Sequence, residues 1–325
     1  MSKRNIENKK SDIYLVSAII TTHNREPKIV ARAVKSVLKQ TYKNIELIVV
    51  DDSSSTYPLR AEVELSIHAI SDKIVYIKHE VSRGACAARN TGLSYSHGYY
   101  VGFLDDDDEW MPLKIEEQLK GFYNDQIAMV YSQLFFVDDI SGVKYFGKKH
   151  ANQAERGRIF KQLLKGNIVG PTSNPLLKKE CIERVGGFDV LMESSQDFDL
   201  WLRIAMKYSV EYIDKPLLIY HIHPIYRITT DADRKINGMN RINNKYSEYI
   251  NKDREVWYMQ HIQLIPFYLK KYGRKKALIM WAECVRRKPF SLNNIKKFGH
   301  IVLGDDLYRV IRTFLASVYH RIKSC

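Results

Sequence analysis

Three short apolar runs in the first 105 residues each end in a cluster of polar or charged side chains. Residues 15–21 (LVSAIIT) lead into Thr22-His23-Asn24-Arg25, and residues 45–50 (IELIVV) lead into Asp51-Asp52. Residues 99–104 (YYVGFL) lead into four consecutive aspartates, Asp105, Asp106, Asp107 and Asp108. Runs this short suit strands covered on both faces, as in a parallel sheet. Helical periodicity fills the gaps. Residues 27–40 place Val30, Ala33, Val34, Val37 and Leu38 on one face, with Pro27 suited to a first turn. Further helical patterns fall near 59–70 and over 84–95, with a short strand at 74–78 between them. Strand and helix alternating at this spacing predict βαβ units and a mostly parallel sheet flanked by helices.

Loops at the C-terminal ends of parallel strands converge on one edge, where ligands of α/β sheets bind. The aspartate run is the most informative of these loops. Four like charges in a row repel one another unless solvent or a cation neutralises them. Hard divalent cations are the usual companions of carboxylate and phosphate oxygens. An isolated acidic run is more often a solvated turn, but a place directly behind a strand favours a site.

Beyond the aspartates come a helix over 112–122 and a strand over 129–137, after which the pattern loosens. A hairpin at Ser141-Gly142, helices near 157–165 and 178–185, and a break at Gly170-Pro171 follow. An amphipathic helix over 196–208 precedes strands at 210–213 and 217–222. Everything past 235 is helical in period, punctuated by Gly273, Pro289 and Gly304.

The four cysteines among 325 residues are scattered, with no CxxC pair, which argues against a disulfide framework or structural zinc and suits a reducing compartment. The polar start MSKRNIENKKSD lacks an apolar leader, and no stretch approaches a membrane span. The expected location is cytoplasmic, with a peripheral position on the inner face of the cell membrane left open. Charge is unevenly placed. Residues 1–234 are nearly balanced, with 32 Lys and Arg against 31 Asp and Glu, whereas residues 235–325 carry 19 against 6. Such asymmetry points to an anionic partner for the last quarter of the chain.

Seven segments, in order, carry a family resemblance: VSAIITTHNR (16–25), SVLKQTYKNIELIVVDDSS (36–54), RGACAARNTGL (83–93), FLDDDDEW (103–110), GGFD (186–189), QDFDLWLRIA (196–205) and YHIHP (220–224). Together they resemble the family 2 inverting glycosyltransferases of GT-A fold over about 210 residues. Each motif alone is weak; seven collinear ones are specific. The resemblance implies a Rossmann-like GT-A α/β domain over 14–232; composition, charge and helical period set apart a polar tail over 1–13 and a C-terminal all-helical, basic extension over 233–325.

It also implies roles. The family's D-x-D motif maps onto Asp105-x-Asp107, with Asp107 a direct metal ligand, Asp105 near the metal or ribose, and Asp106 between them. The implied cofactors are Mn²⁺ or Mg²⁺ and a nucleotide-sugar donor, a UDP-sugar being favoured. Thr22, Asn24 and Arg25 join this edge, and Asp51 and Asp52 look like the family's nucleotide-pocket pair. Turn-forming roles at a strand exit are the alternative for the pair. Ser53 stands where the family usually has glycine. Arg83 and Arg89 suit anionic oxygens, with structural pairing to Asp51 or Asp105 the alternative for Arg89. Asp197 matches the acid that serves as base toward the acceptor hydroxyl. A helix cap is the alternative, and Asp199 is a competitor. His223 resembles a histidine near the metal and phosphates, although a lone histidine is more often structural. Asp108 is expected to cap the following helix. Trp110 is a candidate to stack on a sugar, and Trp201 is a core residue.

Residues 309–322 form a basic amphipathic pattern that fits either an anionic membrane surface or packing within a helical add-on. Expected partners are therefore the donor, a glycan or lipid-linked glycan acceptor and an anionic membrane surface, with a homo-oligomer left open. Nothing resembles a nucleic-acid-binding motif. The competing functions are a sugar nucleotidyltransferase, whose glycine-rich basic activation loop is missing from TTHNREPK, and a binding protein without turnover.

Overall fold

The computed structural model describes residues 14–146, 155–222, 231–304 and 307–308. It divides into two compact units. The first holds residues up to Leu163, Asn167–Leu191 and the described chain from Gln196 to 222. The second holds Leu164–Gly166, Met192–Ser195 and the described chain from 231 onward.

The first unit is a sheet with helices about it. Its strands are β1 (Val16–Thr22), β2 (Ile45–Asp51), β3 (Val75–Lys78), β4 (Tyr100–Asp105), β5 (Glu109–Trp110), β6 (Ile127–Asp138), β7 (Lys144–Phe146), β8 (Leu176–Lys178) and β9 (Ser209–Ile222). Its helices are α1 (Pro27–Leu38), α2 (Arg60–His68), α3 (Ala85–Tyr95), α4 (Lys114–Leu119), the greater part of α5 (Phe160–Lys165), α6 (Lys179–Arg184) and α7 (Gln196–Lys207). The strand order is β3-β2-β1-β4-β8-β6-β9-β5, with β7 beside β6. The first four strands in that order are parallel to one another, and β6 and β9 form a second parallel pair. The short strands β5, β7 and β8 add antiparallel links.

The apolar runs became strands because both faces are covered. β1 and β2 have their apolar residues almost wholly buried, and α1 lays Val30, Ala33, Val34 and Val37 into the same core. Two expectations change. The strands at 210–213 and 217–222 are one strand, β9, because Ser132 faces Ile213 while Gln133 faces Pro216. The skipped Asp214 and Lys215 are a bulge that interrupts the alternation without ending the strand. β5 and β8, of two and three residues, were not expected at all; so short a strand has no period to read.

The second unit is helical: α8 (Ala232–Lys245), α9 (Ser247–Lys252), α10 (Arg254–Ile262), α11 (Ile265–Arg287) and a helix over 292–304. Asp231 caps α8 by accepting from the Arg234 amide, and Asp253 caps α10. The long helix α11 breaks at Gly273. Tyr258, Ile262, Ile265, Ala277, Cys284 and Ile301 form a core of their own. No described helix is long and apolar enough to cross a membrane.

Candidate active site

Strand register assembles the site. Thr22, at the end of β1, pairs with Asp51 at the end of β2, and its neighbour Thr21 pairs with Asp105 at the end of β4. All three motif clusters therefore share the carboxyl edge of the parallel strands.

The four aspartates alternate. The side chains of Asp105 and Asp107 are 29 and 24 % exposed, whereas Asp106 is at 6 % and Asp108 is fully enclosed. Asp106 accepts from the Thr22 hydroxyl at 2.7 Å and from Arg25 Nε at 3.0 Å. Burial pushes its carboxyl above the ordinary range, opposed by the Arg25 guanidinium and the Thr22 hydroxyl. Arg25 also reaches Asp107 at 3.3 Å, and Arg32 donates to the Asp107 carbonyl at 2.7 Å. Asp108 accepts from the Ser173 hydroxyl at 2.6 Å and the His221 amide at 3.2 Å. Burial, aided by the charges of Asp107 and Asp105, pushes Asp108 well above the carboxylate range. Asp108 is thus not a helix cap: α4 starts after Leu113 with no side-chain cap, and the carboxyl points into the protein instead. Trp110 is likewise no sugar platform. It is buried, donates Nε1–H to the Ser173 carbonyl at 3.0 Å and lies over Gly102, where an added Cβ would sit 2.8 Å from its ring. Trp201 is core, as expected.

Asp51 and Asp52 are both buried and well supplied with protein donors. Asp51 accepts from the Ser53 amide, Arg60 Nε and the Tyr76 hydroxyl at 2.8, 3.0 and 2.9 Å. Asp52 binds His79 Nδ1 and accepts from the Ser82 hydroxyl and the amides of Arg83 and Gly84, all within 3.0 Å. Burial opposes ionisation of Asp52, yet these four donors hold it below the ordinary range. Arg83 enters through its amide, its own side chain being exposed. Asn24, at φ 49°, links the β1 and β2 loops. Its amide donates to Ser53 Oγ at 2.8 Å and its Oδ1 accepts from the Ser54 amide. Ser53, where the family usually has glycine, thus has a definite task.

Arg89 connects two stations. It is buried, and donates from Nη2 to Asp105 at 2.7 Å and from Nη1 to Gln196 Oε1 at 2.9 Å. Gln196 opens α7, and Asp197 follows it, half-buried, with Oδ2 3.3 Å from Asn167 Nδ2 and Oδ1 accepting from the Phe198 amide. Asp199 is fully buried and accepts from both Nε and Nη2 of Arg203. His223 lies outside the described residues, as does the whole of the 309–322 pattern. Its neighbour His221 is held between Glu109 at 3.0 Å and Asp139 at 2.6 Å.

The 166–175 loop contributes residues that sequence reasoning missed. Ser173 Oγ accepts from the Asp105 amide while donating to Asp108, Asn167 meets Asp197, and Asn174 crosses to Ser132. Its run of Asn, Thr and Ser around Gly170-Pro171 was the available signal, since polar residues in a loop that ends buried must find partners.

Asp105 and Asp107 offer part-exposed, hard oxygen donors on one loop, which fits a divalent cation that takes one or two carboxylates and completes its shell with phosphate oxygens. Among the described residues no three His, Cys, Asp or Glu side chains are grouped to hold a metal by themselves.

Residues 17–185 match the profile of "Glycosyl transferase family 2". The chain belongs to glycosyltransferase family 2. Among its family 2 relatives is the Escherichia coli protein named "UDP-Glc:alpha-D-GlcNAc-diphosphoundecaprenol beta-1,3-glucosyltransferase WfaP", 40% identical over 59% of this chain and 71% of that protein. Another, from Escherichia coli K12, is named "Putative colanic acid biosynthesis glycosyl transferase WcaA"; it is 28% identical over 73% of this chain and 83% of its own length. The mannosyltransferase PcManGT of Pyrobaculum calidifontis, solved with GDP-Man and Mn²⁺, superposes with a TM-score of 0.57 at 17% identity, covering 93% of this chain and 84% of that one. That likeness shows the GT-A fold. Family membership makes the chain a glycosyltransferase and its carboxyl edge the candidate active site.

Proposed function

We propose that this glycosyltransferase moves a sugar, with inversion at the anomeric carbon, from a nucleoside-diphosphate sugar to a hydroxyl of a glycan or lipid-linked glycan in polysaccharide or glycoconjugate synthesis. One observation carries the reading. Arg89 holds Asp105 and Gln196 together, so the acidic loop and the start of the α7 helix bearing Asp197 belong to one bonded assembly. The donor diphosphate would lie against Arg25 and the part-exposed Asp105 and Asp107, with Mn²⁺ or Mg²⁺ held by these carboxylates. Such an ion offsets the negative charge on a departing diphosphate. Asp51 and Asp52 would shape the base pocket through the loops they pin. A UDP-sugar is favoured, in keeping with the donor named for the WfaP relative.

Asp197 is assigned as general base. Its carboxylate is only half-buried, whereas Asp199 is enclosed and bound by Arg203. A base removes the acceptor proton as the hydroxyl attacks opposite the leaving group. The transition state is oxocarbenium-like, as in glycoside hydrolysis.

A membrane-surface acceptor is supported by the helical region. Phe290, Leu292 and Ile295 are exposed beside Lys288 and Lys296, within a stretch of strong positive charge. Apolar side chains flanked by lysines suit an anionic interface.

The test is a panel of uridine, guanosine and thymidine diphosphate sugars with Mn²⁺ or Mg²⁺. A GlcNAc-diphosphate lipid serves as acceptor, and the anomeric configuration of the product is read by proton NMR. Transfer with inversion is expected. Retention, or no turnover and no binding of any donor, overturns the reading.

A further inference from the structure

The side chain of Asn167 bonds both backbone groups of one residue, Gly170. Its Oδ1 accepts from the Gly170 amide at 3.0 Å, and its Nδ2 donates to the Gly170 carbonyl at 3.0 Å. A backbone N–H only donates, so the oxygen of Asn167 must face it and the side-chain amide can sit one way round only. Nδ2 carries a second hydrogen, and Asp197 Oδ2 lies 3.3 Å away to receive it. Gly170 is held at φ 92°, a backbone conformation that favours glycine.

Helix α7 meets this loop at two positions one turn apart. Asp197 and Trp201 are four residues apart on α7 and share a face. Trp201 Nε1 donates at 3.2 Å to the Gly170 carbonyl, the oxygen that also accepts from Asn167. Gly170 and Trp201 are buried, whereas Asn167 and Asp197 are half-buried, so the chain of bonds runs from the core out to the carboxylate. On its other oxygen, Oδ1, Asp197 accepts from the Phe198 amide at 2.7 Å. A carboxylate with a fixed donor on each oxygen has its plane set. All of these residues belong to the first compact unit.

We propose that Asn167 is a positioning residue for glycosyl transfer: oriented by Gly170, it holds the Asp197 carboxylate in the plane from which it takes the acceptor proton. The proposal rests on the reading of Asp197 as base. In that step the proton passes from the acceptor hydroxyl to Asp197 as the new C–O bond forms. The bond from the anomeric carbon to the diphosphate breaks, and its electron pair leaves with the phosphate. Asn167 gives up no proton and touches no reacting atom. Its part is to stop the carboxylate from turning about the Cβ–Cγ bond, a broad and weakly restricted torsion in aspartate. A misaimed base loses rate, since a small displacement of a reacting group costs up to about 10²-fold.

The experiment is a double-mutant cycle in the full chain: parent, Asn167→Ala, Asp197→Asn and the two combined. Each is read for affinity for UDP by calorimetry and for kcat of transfer to the GlcNAc-diphosphate lipid from the donor found active. Asn167→Ala should lower kcat about tenfold or more and leave the UDP affinity unchanged. In the Asp197→Asn background the same substitution should cost little further rate, because the group it positions is gone. Asn167→Asp, of the same size, keeps an acceptor for the Gly170 amide but sets a carboxylate against Asp197. It should lower kcat at least as far as Asn167→Ala. A merely structural role would lower the melting temperature and slow both backgrounds by the same factor. Equal factors in the two backgrounds, or parental kcat in Asn167→Ala, overturn the proposal. If Asn167→Ala does not fold, Asn167→Asp takes its place in the cycle. Full activity of Asp197→Asn overturns instead the reading of the base, and the two failures are read from different variants.

Discussion

Arg89 stands 2.7 Å from Asp105 while its other terminal nitrogen holds Gln196, the residue before Asp197. One buried guanidinium therefore spans the acidic loop and the start of α7, a task for a rigid planar fork. Lysine carries one point charge and reaches one partner well. Arg89→Lys is expected to keep the fold and lower kcat by roughly 10²-fold, the scale on which a small misplacement of a reacting group acts. Steady-state kinetics with a circular dichroism control checks this, and near-wild-type kcat in Arg89→Lys would contradict it.

Asp197→Asn should bind UDP as the parent does and transfer at least about 10²-fold more slowly, within the usual contribution of a general base. Calorimetry and turnover on the same preparation separate the two quantities. Activity equal to the parent would move the base elsewhere.

The alternating aspartates should respond differently to neutralisation. Burial already favours the neutral form of Asp108, so Asp108→Asn should leave the melting temperature near neutral pH unchanged or raised. Asp107→Asn should keep the melting temperature and weaken metal-dependent donor binding. Thermal scans and UDP titrations with and without Mn²⁺ check the contrast. Equal effects of the two substitutions on binding would defeat it.

His221 predicts a pH dependence of stability. Burial opposes its charge, but the contacts with Glu109 and Asp139 win and raise it above 6.5; its hydrogen bond to Glu109 in turn is the main cause holding Glu109 below 4.5. A raised histidine contributes stability that is full below 6.5 and lost as pH rises through the folded value. A lowered glutamate contributes stability that is full above 4.5 and lost as pH falls. The contribution is therefore complete between 4.5 and 6.5 and declines on the alkaline side. Urea denaturation from pH 5 to 9 should show that decline in the parent and a flatter profile in His221→Gln.

At the helical region, Phe290→Glu with Ile295→Glu in the full chain should reduce sedimentation with phosphatidylglycerol vesicles and leave binding of UDP intact. Undiminished lipid binding would place the anchor elsewhere.

The strand ends were readable because three apolar runs stop at Thr22, Asp51 and Asp105, and register then brings those positions together. The division among four identical aspartates was less so, because β4 ends at Asp105 and the next three lie in the turn before β5, which has no period to read. Asp105 and Asp107 are part-exposed there, whereas Asp106 and Asp108 are buried. Ser173 and Asn167 left only the general signal of a polar loop, since their partners lie 68 and 30 positions away. Trp110 misled because an aromatic beside an acidic loop reads as a sugar platform. Only the space over Gly102 shows where the ring goes.

That space has a consequence for anyone exchanging acidic loops between relatives to alter donor choice. Gly102 belongs to β4 and Trp110 to β5, on opposite sides of the aspartates, and each fills the gap the other leaves. A transplanted loop that brings its tryptophan but meets an alanine at position 102 would be displaced at its base. The transferable cassette therefore begins at Gly102 and ends no earlier than Trp110.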